Sequence, residues 1–110
     1  MNVSEDLINF FKVLGESTRL NILNFIKDEE KSSQEIQKAL NKSQSIISQR
    51  LKNLIEADII VVRRKQNKKY YKVKYSQILE IITRTEDLIS LKNKAKIDKL
   101  TDSDILDTLF

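Results

Sequence analysis

"SQSIISQRLKNLIEADIIVVRRKQNKKYYKVK", residues 43–74, changes its hydrophobic period halfway along. In the first half Ile47, Leu51, Leu54 and Ile55 recur at helical spacing, and Gln44, Ser45, Ser48, Gln49 and Lys52 share the opposite face. In the second half the period drops to two. Ile60 and Val62 alternate, and so do Tyr71, Val73 and Tyr75, across the polar tetrad Lys65-Gln66-Asn67-Lys68. The pattern predicts a helix opening at Ser43, then a two-stranded hairpin whose alternating residues face a core. Asn67 is the turn residue best suited to a positive φ. The hairpin region is also strongly basic: residues 61–74 hold seven Lys or Arg and no acid.

Upstream, three more helices are legible. Leu7, Phe10, Phe11 and Leu14 lie on one helical face, and Gly15 stops that helix. Leu20, Ile22, Leu23, Phe25 and Ile26 make a broader stripe, which predicts a more buried helix over residues 18–27. Ser32 or Ser33 can cap a short third helix with Ile36 and Leu40 on its inner side. Downstream, Ile78, Leu79, Ile81, Ile82, Leu88, Ile89 and Leu91 predict a long helix over residues 76–97, roughly 33 Å at the standard rise. A last short helix is expected from Thr101, with Asp104 as a capping-box partner. The fold class is therefore mainly α with a small β-hairpin, in α-α-α-α-β-β-α order, a winged helix-turn-helix. Residues 1–97 form the working domain, and residues 98–110 are an acidic and apolar extension.

Bulk composition bounds the rest. A chain of 110 residues, 40% hydrophobic and 33% charged, fits one folded domain. It has no Cys and no His, so disulfides and thiolate or imidazole metal sites are excluded. The longest apolar run, Ile59 to Val62, is far too short for a membrane span, and no secretory leader is evident. A cytoplasmic protein without a cofactor is the expectation. No nucleophile–base pair, metal cluster or Gly-rich phosphate loop is present, so an enzyme is not expected. The net charge of +4 is unevenly spread: residues 1–30 carry −3, residues 31–75 carry +9 and residues 76–110 carry −2. A basic middle between acidic ends points to one surface facing a polyanion.

The layout suits double-stranded DNA. The second helix of a helix-turn-helix enters the major groove and reads bases near its N-terminus. Ser43 at the cap leaves backbone N–H groups facing a phosphate. Gln44, Ser45, Ser48 and Gln49 can bond to base edges, while Arg50 and Lys52 are placed for phosphates, Arg50 nearer the flank. Arg63, Arg64, Lys65, Lys68 and Lys69 crowd the hairpin tip. Like charges packed across a strand pair are unfavourable unless a counter-charge is supplied, and phosphate supplies it.

Three segments together carry a resemblance: "FKVLGESTRLNILNFI" (residues 11–26), "SQSIISQRLKNLIEADII" (43–60) and "RRKQNKKYYKV" (63–73). In this order and spacing they resemble the signature, recognition segment and wing of ArsR/SmtB-type winged helix-turn-helix transcriptional regulators. The resemblance runs from about Phe10 to Val73. It implies a homodimeric repressor that pairs through its first and last helices, with Leu7, Phe10, Phe11, Ile82, Leu88 and Ile89 at the interface, and binds an inverted-repeat operator. It also implies that Ser43, Gln44, Ser45, Ser48, Gln49 and Lys52 face the major groove, with the Arg63–Lys69 wing on the flanking backbone.

The departures are informative. Where metal-sensing relatives carry Cys-x-Cys on the third helix, this chain has Ser32 and Gln34. With no His either, a zinc, arsenic or copper sensor of the usual kind is excluded, and only a carboxylate site around Glu86 and Asp87 stays open. Glu16-Ser17 replaces Asp-Pro. Asp58 replaces a glycine, so that helix must stop under strain or run on slightly. Two other readings remain: a non-specific, chromatin-like DNA binder, and a winged helix used to bind proteins.

Overall fold

A computed structural model describes residues 2–100 of the chain. It contains α1 (Glu5–Leu14), α2 (Ser17–Ile26), β1 (Lys31–Ser32), α3 (Ser33–Leu40), α4 (Gln44–Glu56), β2 (Ile60–Lys65), β3 (Lys68–Val73) and α5 (Ser76–Lys99). The hairpin and the five helices predicted before residue 100 are there, with one addition. β1 pairs antiparallel with β3, Lys31 opposite Tyr71 and Ser32 opposite Tyr70, so the sheet has three strands in the order β1-β3-β2. Two residues are too few to show a period, which is why the sequence does not announce this strand. The chain divides into two compact units, Met1–Ser76 and Gln77–Phe110. The short helix expected from Thr101 lies outside the described residues. No helix among the described residues is long and apolar enough to cross a membrane.

Side-chain caps set the helix starts. Ser4 Oγ accepts from the Leu7 amide at 3.1 Å, and Ser43 Oγ accepts from the Ile46 amide at 3.2 Å. Ser32 and Glu35 form a full capping box on α3. α4 ends in a Schellman turn. The Asp58 amide donates to the Ile55 carbonyl and the Ile59 amide to the Leu54 carbonyl, each at 3.0 Å. Asp58 stands at φ 62° where the fold calls for glycine, so the helix stops under strain rather than running on. The hairpin turn is Gln66-Asn67, and both residues have positive φ (52° and 65°). A two-residue turn of that kind matches the right-handed twist of its strands.

In the first unit, α2, α3 and α4 enclose a core of Ile22, Leu23, Ile26, Ile36, Ile47, Leu51 and Leu54, joined by Ile59, Ile60, Tyr71 and Val73 from the sheet side. Truncating any of the fully buried isoleucines to Ala should cost about 2–5 kcal/mol. Three expected core residues are corrected. Ile55, 38% exposed, lies about 100° around the helix from Leu54 and turns out of the buried arc. Val62 is 42% exposed, because β2 is an edge strand and only its first residue, Ile60, is buried. Tyr75, 47% exposed, follows the end of β3, where strand alternation no longer holds.

The described part of the second unit holds α5 from Gln77 onward. Ile81, Leu88, Ile89, Leu91 and Ile97 are exposed along it, and Ile82 is half-buried. On α1, Leu7, Ile8 and Phe11 are likewise exposed, and Phe10 is half-buried.

Candidate nucleic-acid interface

The outer face of α4 collects the residues expected there. Gln44, Ser45, Ser48, Gln49 and Lys52 are all exposed, opposite the buried Ile47, Leu51 and Leu54. Gln44 Nε2 donates to Ser48 Oγ at 3.0 Å, one turn along the helix. Ahead of them Asn41 takes a left-handed conformation (φ 53°), and its amide reaches back to the Gln37 and Lys38 carbonyls. This closes α3 and turns the chain into α4 through exposed Lys42 and Ser43. Periodicity alone did not single out Lys42. A lysine next to an N-cap serine was the available signal, since it adds charge at the positive end of a helix dipole.

Arg50 behaves differently. Its Nε donates to Glu16 Oε1 at 3.0 Å, with both side chains 26% exposed. Its Nη1 donates to Gln49 Oε1 at 2.9 Å. Arg50 therefore ties α4 to the start of α2. Glu16 is also the N-cap of α2, its Oε2 accepting from the Arg19 amide at 2.8 Å. Burial works to raise the Glu16 pKa, but the Arg19 amide and the Arg50 guanidinium outweigh it and hold the carboxyl below its usual value. Arg19 completes the frame. Its Nε donates to the Val13 carbonyl at 2.6 Å, Nη2 to the Lys12 carbonyl at 3.3 Å and Nη1 to Asn53 Oδ1 at 3.3 Å. It thus caps the carboxyl end of α1 and holds α4 at the same time.

The hairpin follows α4 after three residues. Its register sets Arg64 directly opposite Lys69 and Lys65 opposite Lys68, with Arg63 opposite Tyr70. Among the described residues Arg64, Lys65, Lys68 and Lys69 have no carboxylate partner. Arg63 does: its Nη2 lies 2.9 Å from Glu30 Oε1. Lys74 pairs with Asp58 and Lys31 with Glu29, each at 2.6 Å, and Lys52 reaches Glu56 only at 4.0 Å. On the sheet, Lys31, Arg63 and Lys74 are thus paired with carboxylates, while Arg64, Lys65, Lys68 and Lys69 at the hairpin tip are uncompensated. Among the described residues no group of three or more Asp, Glu, Cys or His converges to hold a metal.

α3, the turn at Asn41–Ser43 and α4, followed by a basic β2–β3 wing, make a winged helix-turn-helix, the architecture of DNA-binding regulators. Residues 16–61 match the family model described as bacterial regulatory protein, arsR family, and in that segment the chain is similar to the regulators of that family. The arsenical resistance operon repressor of Staphylococcus aureus is 25% identical over 95 residues, which is 86% of this chain and 90% of that protein. Among solved structures, reduced HlyU from Vibrio cholerae is 25% identical with a TM-score of 0.69, over 76% of this chain and 87% of that one. The homodimeric winged helix-turn-helix domain of Mb0332 from Mycobacterium bovis, described as a possible ArsR-family regulator, superposes with a TM-score of 0.76 at 18% identity. That match covers 83% of this chain and 84% of that one.

Proposed function

We propose that this chain is a homodimeric, sequence-specific repressor that binds an inverted-repeat operator. The two copies of α4 enter successive major grooves about 34 Å apart. Gln44, Ser45, Ser48 and Gln49 meet base edges; Lys42 and Lys52, with Ser43 at the helix start, meet phosphates; and Arg64, Lys65, Lys68 and Lys69 grip the flanking backbone. The observation that carries this reading is the hairpin tip, where two cation pairs face each other across the strands without a carboxylate. Such a tip is unfavourable in the free protein and becomes favourable when it displaces counterions from a phosphate backbone. The exposed apolar faces of α1 and α5 support self-association, through Leu7, Phe10 and Phe11 on one helix and Ile82, Leu88 and Ile89 on the other.

Any regulatory signal the chain receives does not enter through thiolates, because the sequence has no cysteine. Titration of labelled duplexes from the chain's own upstream region tests the proposal. Specific duplex should bind roughly a thousandfold more tightly than scrambled duplex. Equal binding of both, with a steep salt slope, would instead make the chain a non-specific DNA binder.

A further inference from the structure

Gln49 sits at the middle of the outer face of α4, and its side-chain amide is held in one orientation. Arg50 Nη1 donates to Gln49 Oε1 at 2.9 Å. A guanidinium has five donors and no acceptor, so only the carbonyl end of the amide can face it. Arg50 is itself held, since its Nε donates to Glu16 Oε1 at 3.0 Å while Glu16 Oε2 accepts the Arg19 amide at 2.8 Å. A carboxylate fixed to the start of α2 thus orients a guanidinium on α4, which orients an amide on the reading face. Gln44 offers a contrast. Its neighbour is the Ser48 hydroxyl, which can donate or accept, so that amide is free to turn over.

We infer that Glu16 and Arg50 are positioning residues for base readout, and that Gln49, held with its NH2 outward, selects a base with major-groove acceptors at one position of each half-site. Guanine fits best. The inference rests on α4 being the recognition helix. A bidentate glutamine–adenine pair needs the carbonyl to accept from N6 while the NH2 donates to N7. Arg50 has drawn the carbonyl toward the flank of the helix, so the two ends of the amide are not presented together. The NH2 then finds two acceptors on guanine (O6 and N7), one beside a donor on adenine, one beside a methyl on thymine and only a donor on cytosine.

The test is to sequence the duplexes that the full-length chain retains from a randomised library. The wild type should favour guanine roughly tenfold at one position per half-site, and Gln49→Ala should flatten that position alone. Arg50→Lys keeps the charge opposite Glu16 but replaces the fork with a single nitrogen. It should move the same position several-fold toward adenine and leave the Gln44 position as it was. Glu16→Gln should shift it the same way by less. Unchanged base preference in Arg50→Lys, or a uniform loss of affinity for all sequences, overturns the inference. A wild type that retains the library without sequence preference overturns the recognition-helix reading itself. The relay can also be checked without DNA: the Gln49 Nε2 proton resonances of the free protein should move in Arg50→Lys, and unmoved resonances refute the relay even if DNA is read.

Discussion

Single residues on this surface divide by whether a carboxylate has already claimed them. Arg63 and Lys69 look equivalent along the sequence, yet Glu30 holds the first and nothing among the described residues holds the second. Salt titration of DNA binding should separate them. Lys68→Gln or Lys69→Gln should each flatten the slope of log K against log salt by about 1.8, since every substitution removes one phosphate contact from each half of the dimer. Arg63→Gln should change it much less, and Glu30→Gln should steepen it by releasing Arg63. A slope change for Arg63→Gln as large as that for Lys69→Gln would show that Arg63 leaves Glu30 for phosphate.

Glu16 makes a prediction in pH. Its folded pKa lies below the ordinary 4.5, so its stabilisation is present in full above that value and is lost as pH falls through the lower, folded pKa. The wild type should exceed Glu16→Gln in stability by about 1 kcal/mol at neutral pH. The gap in melting temperature should close on acidification from pH 4.5 downward. A gap independent of pH would mean that the carboxylate charge contributes nothing.

At the scale of elements, what sets the geometry is where helices and strands are made to stop. α4 must end at Ala57 for Ile59 and Ile60 to turn into the core, and the left-handed residue that ends it is an aspartate. Asp58→Gly should relieve about 1 kcal/mol of backbone strain. The Lys74 pairing it gives up is solvent-exposed, with side chains 35% and 63% accessible, and should not cancel that gain. Thermal unfolding should therefore show a higher Tm for Asp58→Gly; a lower one would make the Lys74–Asp58 contact the stronger effect. The hairpin turn obeys the same logic. Asn67 meets the expectation of a positive φ, while Gln66 shares it against its side-chain preference, which composition does not reveal. β1 is the element the sequence hides. Its partner in register is Tyr70–Tyr71, and only the folded sheet shows that Lys31–Ser32 completes an edge.

The molecule as a whole presents apolar helix faces that a lone chain leaves in water. Phe11 is 56% exposed on α1, and Leu88 and Ile89 are 54% and 52% exposed on α5. If the functional species is a dimer built on these faces, Phe11→Glu or Leu88→Glu should yield monomers by analytical ultracentrifugation. The wild-type Tm should also fall on dilution, as it does when folding and association are linked. A wild type that sediments as a monomer at micromolar concentration, with a concentration-independent Tm, would sink the dimer and with it the two-groove geometry.

The sequence by itself determined the helices, the hairpin and the concentration of charge on it, because all three are written in spacings of two to four residues. The 3.6-residue stripe of α4 and the alternation of Tyr71 and Val73 needed no partner to be read. Only the tertiary structure decided which of those charges and amides are free to act. Arg50 is neutralised by Glu16 and Arg63 by Glu30, pairs 34 and 33 residues apart in the chain. No periodicity connects residues at that distance, since a guanidinium and a carboxylate meet only when the elements carrying them are packed. That packing leaves the wing tip uncompensated and holds Gln49 in one orientation.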